Sequence, residues 1–262
     1  MIIDYHRPTT LEAALELLAR QEPRTLPLGG GTVLNRPSPA EVAAVDLQAL
    51  GLDGLQISGK SLLIGAAVTL NRFARQPGLQ LALVKAINLE LNYNLRQVAT
   101  AAGVLVSADG RSGFAAALLA LDAELELRGH PGGASPEQEK VGLGDLLPLR
   151  ERLLRGRLIT QVKIPLNVRL SYEMVARTPA DLPVVCVALA QWVSGRTRLV
   201  VGGFGSAPSL AIDGPEEFGV EAAARAACMG AEDEWASAAY RSDAAATLAK
   251  RCLEKLLTDE NG

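Results

Sequence analysis

The first 165 residues alternate short β-rich runs with helical segments, and this alternation constrains the fold more than any other feature of the sequence. It is typical of α/β units with mixed sheets. A helix is predicted over TTLEAALELLAR (9–20), where Thr9 and Glu12 have the spacing of a capping box. LALVKAINLELN (81–92) and FAAALLALDA (114–123) are predicted helices as well. The predicted strands, bounded by Gly, Pro or Asp, are TLPL (25–28), VAAVDL (42–47), SLLIGAAVTL (61–70), ELEL (124–127) and LITQVKI (158–164).

The pattern changes after Pro165, where three longer β-rich runs follow one another with no predicted helix between them. A Ser194-Gly195 turn joins the last two, which predicts an antiparallel hairpin. We therefore place a domain boundary near residue 166. The three runs are LSYEMVA (170–176), VVCVALAQWV (184–193) and RLVVGGFG (198–205), and a predicted helix containing ATLAKRCLEKLL (246–257) follows them.

The charge balance excludes some classes of partner. A formal net charge of -3 and a pI near 5.6, with no dense run of Lys or Arg, argue against nucleic acid or an acidic membrane surface. The sequence has no signal-peptide pattern and no apolar run long enough to span a bilayer. We expect a cytoplasmic protein without membrane attachment. The polar segment HPGGASPEQEK (130–140) is predicted to be an exposed, mobile loop.

The cysteines and histidines offer no metal site. Cys186, Cys228 and Cys252 lie far apart without a CxxC pair, so zinc and iron–sulfur clusters lack their usual ligands and buried thiols are the better interpretation. His6 and His130 stand alone. No catalytic acid, base or nucleophile is evident either. Any redox chemistry must therefore come from an organic cofactor or a partner.

The run LGGGTVL (28–34) begins at Leu28, the last residue of the predicted strand TLPL. Three consecutive glycines are costly in regular structure, at roughly 0.5–1 kcal/mol each relative to alanine, and this predicts that the backbone itself is needed close to a ligand. The run matches neither the P-loop pattern nor the dinucleotide pattern GxGxxG, because Leu34 occupies the last glycine position. From the residues alone, a structural turn and a phosphate cradle both remain open.

A second stretch resembles a known family. LRQVATAAGVLVSADGRSGFAAALLALDAELEL (95–127) is similar to the segment that reads iRnvATIGGNl and then sDlppaLLaLdA in the FAD-binding medium subunits of molybdenum hydroxylases of the carbon monoxide dehydrogenase and xanthine dehydrogenase type. Further similar segments occur in the family's order. They are YHRPTTLEAALELL, LGGGTVL, IGAAVTL, LITQVKIP and SAAYRSDAAATLAKRCLEKL. The resemblance covers nearly the whole chain.

This resemblance implies a vanillyl-alcohol-oxidase-type (PCMH-type) FAD-binding domain over residues 1–165, with two α/β subdomains of about 1–57 and 58–165. A small C-terminal α+β domain with an antiparallel sheet would follow over 166–262. In the family two loops surround the FAD pyrophosphate. By this match the cofactor-binding residues here would be Leu28, Gly29, Gly30, Gly31, Thr32, Val33 and Leu34 in the first loop and Thr100, Ala101, Ala102 and Gly103 in the second.

Three residues depart from the family pattern. Val104 stands where the family has asparagine, Gly113 where it has an aspartate that accepts from ribose hydroxyls, and Glu173 in place of a frequent lysine of a Y-x-K segment. Asp109 is a possible substitute acceptor. Losing two hydrogen bonds would weaken FAD binding on the order of tenfold to a hundredfold. We accordingly expect Val104→Asn with Gly113→Asp to tighten it.

The resemblance implies an oxidoreductase subunit that is active only with partners. It would pass electrons from the clusters of a small iron–sulfur subunit, next to a large molybdopterin-binding subunit, through FAD to an acceptor. The heteromer would be a dimer of three-subunit units. Because of the departures, the alternative is a degenerate paralogue that acts as a scaffold or interaction subunit without flavin.

Overall fold

The computed structural model describes residues 1–129, 137–215 and 219–258. Its strands are β1 (Ile2–His6), β2 (Thr25–Leu28), β3 (Val42–Asp46), β4 (Leu55–Ser58), β5 (Ser61–Gly65), β6 (Glu124–Gly129), β7 (Glu137–Gly142), β8 (Arg157–Pro165), β9 (Arg169–Val175), β10 (Val185–Gln191), β11 (Thr197–Gly202) and β12 (Ser209–Gly214). Its helices are α1 (Leu11–Leu18), α2 (Leu70–Ala74), α3 (Leu81–Glu90), α4 (Tyr93–Arg96), α5 (Ala101–Ser107), α6 (Gly113–Ala120), α7 (Leu143–Leu153), α8 (Val220–Ala227) and α9 (Ala238–Thr258).

The chain forms two compact units that interleave along the sequence. The first unit consists of Met1–Phe73, Tyr93–Ser107 and Glu124–Lys163, and the second of Ala74–Asn92, Ala108–Ala123 and Ile164–Gly262. Two segments that precede residue 165, and that carry α3 and α6, therefore belong to the second unit. The division into domains of 1–165 and 166–262 follows chain order instead, and it stays a prediction.

The first unit contains two sheets. A parallel sheet has the strand order β1-β3-β2, and a five-stranded sheet has the order β4-β5-β8-β6-β7. In the second of these, β6 pairs antiparallel with both of its neighbours. Buried side chains of α1 pack against β3, with Leu15 and Leu18 close to Val45 and Leu47. The first sheet is parallel throughout, and the pairs β4–β5, β6–β7 and β6–β8 of the second are antiparallel, so the mixed sheets predicted from the alternating pattern stay a prediction.

Two local predictions in this unit need correction. The N-cap of α1 is Thr10, whose hydroxyl accepts from the N–H of Ala13 at 3.2 Å, so the predicted capping box of Thr9 and Glu12 is wrong by one residue. Either threonine has a hydroxyl that can accept such a bond, so the residue type alone does not decide which one caps the helix. The predicted loop 130–140 is a strand from residue 137 onward, and its first seven residues lie outside the described residues.

The second unit contains an antiparallel sheet in the order β12-β11-β10-β9. The hairpin between β10 and β11 turns at Gly195, which has a φ of +88°, as the predicted Ser194-Gly195 turn requires. One face of the sheet packs against α8 and α9 through buried side chains, among them Val187, Leu199 and Leu248. The antiparallel C-terminal sheet and the helix that follows it are thus confirmed. Among the described residues, no helix combines the length and apolarity needed to cross a membrane.

Candidate functional site

The glycine run lies where β2 ends, at the carboxyl edge of the parallel sheet. β2 is an edge strand, and the N–H of Leu47 donates to the carbonyl of Leu28 (3.1 Å), which joins the exits of β3 and β2. Open α/β sheets bind ligands at the carboxyl ends of their parallel strands. None of the residues 28–34 is buried, and Val33 is 44% exposed. The first predicted loop is therefore open to solvent at an edge suited to binding.

Two of the three glycines are required by packing of this loop on the segment before α5. A Cβ on Gly30 would lie 1.8 Å from the carbonyl oxygen of Val98, and a Cβ on Gly29 would lie 2.7 Å from Oγ1 of Thr100. Gly31 has a φ of +69°, a left-handed conformation that favours glycine. The absence of side chains at Gly29 and Gly30 thus allows this loop to pack closely against Val98 and Thr100 of the same chain.

Thr100 lies at the centre of this loop pair. Its hydroxyl accepts from the N–H of Gly103 at 3.2 Å, and the next residue, Ala101, donates its N–H to the carbonyl of Val68 at 2.8 Å. Thr100, Ala101 and Ala102 are buried, whereas Gly103 is exposed. The structure therefore places the first predicted loop against the segment that ends at Thr100, within the first unit. Ala101, Ala102 and Gly103, which were predicted to lie in a second loop, instead form the first turn of α5, where Gly103 is exposed.

Most backbone N–H groups of the first loop have no hydrogen-bond acceptor among the described residues. No hydrogen bond of the described residues is donated by the N–H groups of residues 29–34, while the carbonyls of Gly31 and Val33 accept from Asn35 (3.2 Å) and Arg36 (3.0 Å). Successive N–H groups in a turn form an anion-binding concavity without any net positive charge. Donors of this kind suit an anionic group, and binding of the FAD pyrophosphate to this loop stays a prediction.

Asp109 belongs to the second unit, whereas both loops belong to the first. Its Oδ1 accepts from the N–H of Arg111 at 2.8 Å, in a turn that leads into α6, and its side chain is exposed. This bond gives Asp109 a local structural role, because Asp side chains commonly close such turns. A role as a cofactor acceptor stays a prediction.

Position 113 has no room for the aspartate that the resemblance implies. A Cβ on Gly113 would lie 2.1 Å from Oη and 2.9 Å from Cζ of Tyr172. Tyr172 is 2% exposed, so relieving this overlap would require its buried neighbours to move as well. A carboxylate reaches the start of α6 from another element instead, since Glu90 of α3 accepts from the N–H of Phe114 at 3.0 Å. Sequence reasoning missed this pairing because its members are remote along the chain.

Glu173 is neutralised by two lysines. Lys85 Nζ lies 3.2 Å from its Oε1, and Lys255 hydrogen-bonds to the same oxygen. Burial opposes ionisation of Glu173, but the lysines outweigh it and hold its pKa below the ordinary value. The negative charge expected at this position is therefore balanced locally. Counted from Tyr172, the third residue of a Y-x-K pattern is Met174, so assigning Glu173 to the family's lysine position was off by one.

Val104 is buried within α5, at 7% exposure. An asparagine at this position would have to bury an amide, which destabilises the chain unless each polar atom finds a partner. The structure thus adds a cost to the expected benefit of Val104→Asn. The expectation that it tightens flavin binding stays a prediction.

A further polar group at the carboxyl edge of the parallel sheet was not predicted. Asp46, the last residue of β3, is 4% exposed, accepts from the N–H of Gln48 at 2.9 Å and accepts from the hydroxyl of Tyr5. Arg7 Nε lies 4.0 Å from its Oδ2. The only sequence signal was the Asp that ends VAAVDL. Since protein groups already bond to both carboxylate oxygens, we assign Asp46 a structural role.

The thiols are buried and unpaired, as predicted. Burial raises the pKa of Cys186 to about 12 and the pKa values of Cys228 and Cys252 to about 11. Thiols of this kind are poor nucleophiles and poor metal ligands. Within the described ranges, no group of three or more His, Cys, Asp or Glu side chains is arranged to hold a metal ion.

Comparison with known proteins gives a consistent result. Residues 1–167 match the family described as FAD binding domain in molybdopterin dehydrogenase. The chain is 28% identical to the protein YgfM of Escherichia coli K12, over 79% of this chain and 76% of YgfM. It is 25% identical to the carbon monoxide dehydrogenase medium chain of Afipia carboxidovorans, over 96% of both chains.

Solved structures share the fold. A chain of quinoline 2-oxidoreductase from Pseudomonas putida 86 superposes with a TM-score of 0.77 at 22% identity, over 96% of this chain and 95% of that one. A chain of Cu,Mo-CO dehydrogenase gives a TM-score of 0.78 at 22% identity, over 97% of both. The predicted fold class, a PCMH-type domain followed by a C-terminal α+β domain, is confirmed. Because the family model covers well over half of its length, the chain belongs to the family of FAD-binding domains of molybdopterin dehydrogenases.

Proposed function

We propose that this chain binds FAD through the two loops of the first unit and acts as the electron-transfer medium subunit of a molybdenum hydroxylase. The observation that carries this proposal is the first loop, in which the N–H groups of residues 29–34 have no acceptor among the described residues and lie at a sheet edge suited to ligands. FAD, when bound, accepts electrons singly and releases them in pairs, so it joins one-electron to two-electron carriers.

The chain's own residues would bind and position the cofactor. The backbone N–H groups of Gly29, Gly30 and Gly31 would donate to the pyrophosphate, and Thr32 would add a hydroxyl. Val98 and Thr100, which touch the glycines, would hold the loop in shape. No side chain of this set is an acid or a base. Proton transfer and substrate chemistry therefore belong to a partner in this proposal.

A second function is favoured by one observation. Gly113 supplies no carboxylate, and Tyr172 fills the space in which one would begin. A chain that lacks this contact would bind FAD less tightly, by about tenfold for one hydrogen bond of roughly 1 kcal/mol. At the limit it would serve as a scaffold subunit without flavin. The two functions are separated by whether flavin binds at all.

The test is flavin binding to the purified chain. The visible absorbance of freshly purified protein shows whether flavin is carried along, and titration of flavin fluorescence gives the affinity. We expect micromolar or tighter binding in the wild type. Gly30→Ala should weaken it more than tenfold, because its Cβ would meet the carbonyl of Val98 and displace the loop. Gly54→Ala is the matched control, since nothing lies within 4 Å of a Cβ there.

Several outcomes would change the proposal. If the purified wild type is colourless and binds no FAD in the titration, the electron-transfer function is refuted and the scaffold function is supported. If Gly30→Ala binds as tightly as the wild type while retaining its circular dichroism spectrum, the first loop is not the site. Thr32→Val tests the hydroxyl alone, and a loss of about fivefold to tenfold is expected for one hydrogen bond.

The partners in this proposal are a large molybdopterin-binding subunit and a small iron–sulfur subunit, assembled as a dimer of three-subunit units. Support comes from the similarity to a carbon monoxide dehydrogenase medium chain and to a chain of Cu,Mo-CO dehydrogenase. The free cysteines suit a reducing compartment such as the cytoplasm. Affinity purification from the native source under gentle conditions should recover both partners. Recovery of the chain alone from cells that also express the two partner subunits would refute the electron-transfer role.

A further inference from the structure

The start of α6 in the second unit depends on a buried carboxyl group. Every residue of α6 is buried, so water does not reach its first N–H groups. Ser112, the N-cap, accepts from the N–H of Ala115 at 3.0 Å. Glu90, the last residue of α3, accepts from the N–H of Phe114 at 3.0 Å and is only 9% exposed. Glu90 therefore fixes α6 to α3 through a bond that no solvent molecule can replace.

Among the described residues, the groups that shift the pKa of Glu90 include no cation. Asp109 faces it from the turn before α6, Tyr172 from β9 and Cys186 from β10, and the first of these adds negative charge. Lys85 of α3 is engaged elsewhere, with its Nζ 3.0 Å from the carbonyl oxygen of Tyr172 and bonded to Glu173. Arg198 of β11 is paired with Asp122 and with Asp213 of β12.

Two effects compete at Glu90. Hydrogen bonds from helix N–H groups favour its charged form, while burial among uncharged or negative groups favours its neutral form. Burial is the larger effect and raises the pKa of Glu90 from 4.5 to about 7. In the unfolded chain the same group ionises near its ordinary value. The folded and unfolded states therefore bind different numbers of protons between these two values.

We propose that Glu90 is a titrating cap of α6: its neutral carboxyl group tolerates burial at the contact of α3 with α6, and its ionisation there destabilises the folded second unit because a charge is then buried without a cation. The stabilisation is complete below about pH 4.5, where both states are protonated, and it is lost progressively as the pH rises to about 7. Over that interval the unfolding equilibrium constant should increase on the order of a hundredfold. The device makes the second unit less stable in mildly alkaline than in mildly acidic solution.

The test compares urea unfolding of three proteins between about pH 5 and about pH 8. They are the wild type, Glu90→Gln, and Glu254→Gln, whose side chain is exposed on α9 of the same unit. The amide of glutamine keeps an acceptor for Phe114 but does not titrate. We expect the unfolding equilibrium constant of the wild type and of Glu254→Gln to increase by the same factor as the pH rises. The factor for Glu90→Gln should be at least tenfold smaller. Parallel pH profiles for the wild type and Glu90→Gln would overturn the proposal.

A second measurement covers the case in which Glu90→Gln does not fold. Carbon-13 NMR of wild-type protein labelled at the glutamate carboxyl groups should show one resonance that titrates near pH 7. The absence of any glutamate titrating between about pH 6 and about pH 8 would refute the inference. Both measurements use the full chain, and neither depends on flavin.

Discussion

Gly113→Ala separates two expectations about the first residue of α6. Alanine is more favourable than glycine in a helix by about 0.8–1 kcal/mol, so helix propensity alone predicts that the substitution stabilises the chain. The structure predicts the opposite sign, because the new Cβ would lie 2.1 Å from Oη of Tyr172. Tyr172 is buried, so relieving this overlap would require its neighbours to move as well.

The size of the effect follows from overpacking. Inserting a carbon into a filled core costs about 1–3 kcal/mol, which exceeds the gain in helix propensity. We expect Gly113→Ala to lower the free energy of unfolding by about 1–2 kcal/mol. Gly113→Asp should lower it further, since it adds volume and a second carboxylate near the buried Glu90. It should not tighten flavin binding, contrary to the expectation from the family resemblance.

Urea denaturation measures these changes, with Gly54→Ala as the control for glycine replacement in open space. Tyr172→Phe removes Oη and leaves the Cζ contact of 2.9 Å, so it should recover about 1 kcal/mol of the cost in the Gly113→Ala background. The reasoning fails if Gly113→Ala is at least as stable as the wild type. It fails equally if Gly113→Asp binds FAD tenfold more tightly, because position 113 would then be open to the cofactor.

Two further predictions concern the second unit. In urea denaturation, Arg241→Met should lower the free energy of unfolding by about 3–5 kcal/mol, because this arginine is fully buried and donates to Asp233 at 2.7 Å and to the carbonyl of Val184 at 3.1 Å. The control is Arg251→Met, at an exposed position of the same helix, which should change the free energy of unfolding by less than about 0.5 kcal/mol. Equal effects of the two substitutions would contradict the prediction. A thiol reagent at about pH 8 should label no cysteine of the folded chain and all three after unfolding, since burial raises their pKa values; rapid labelling of the folded chain would refute it.

Much of the fold could be predicted from the sequence because its signals are local. The run VAAVDL became β3, LITQVKI became β8 and Ser194-Gly195 became the turn of a hairpin. The run SLLIGAAVTL was predicted too long: its strand ends at Gly65 and its last residue begins α2. An apolar run does not say where its backbone bonds stop, so element ends are decided by neighbours in space.

The candidate site was predicted in part. The two loops came from a resemblance, and the structure places them against each other, with Gly30 on Val98 and Gly29 on Thr100. The sequence could not show that the glycines serve this internal contact, because the partners lie about seventy residues apart. Asp109 was named beside these loops, yet it belongs to the other compact unit, because its short separation in sequence from Gly103 carries no information about which sheet each segment joins.

By itself, the sequence determined strands such as β3 and β8, the antiparallel C-terminal sheet and the family, because periodicity, turn residues and the order of motifs can be recognised along the chain without knowledge of its contacts. Only the tertiary structure decided that Tyr172 closes position 113, that Glu90 caps α6 and that Arg241 is buried. These depend on packing between remote segments, where a difference of about 1 Å changes a favourable contact into a clash. Protein interiors are close-packed, so they do not accommodate a displacement of that size. A local sequence pattern carries no information about these contacts between remote segments.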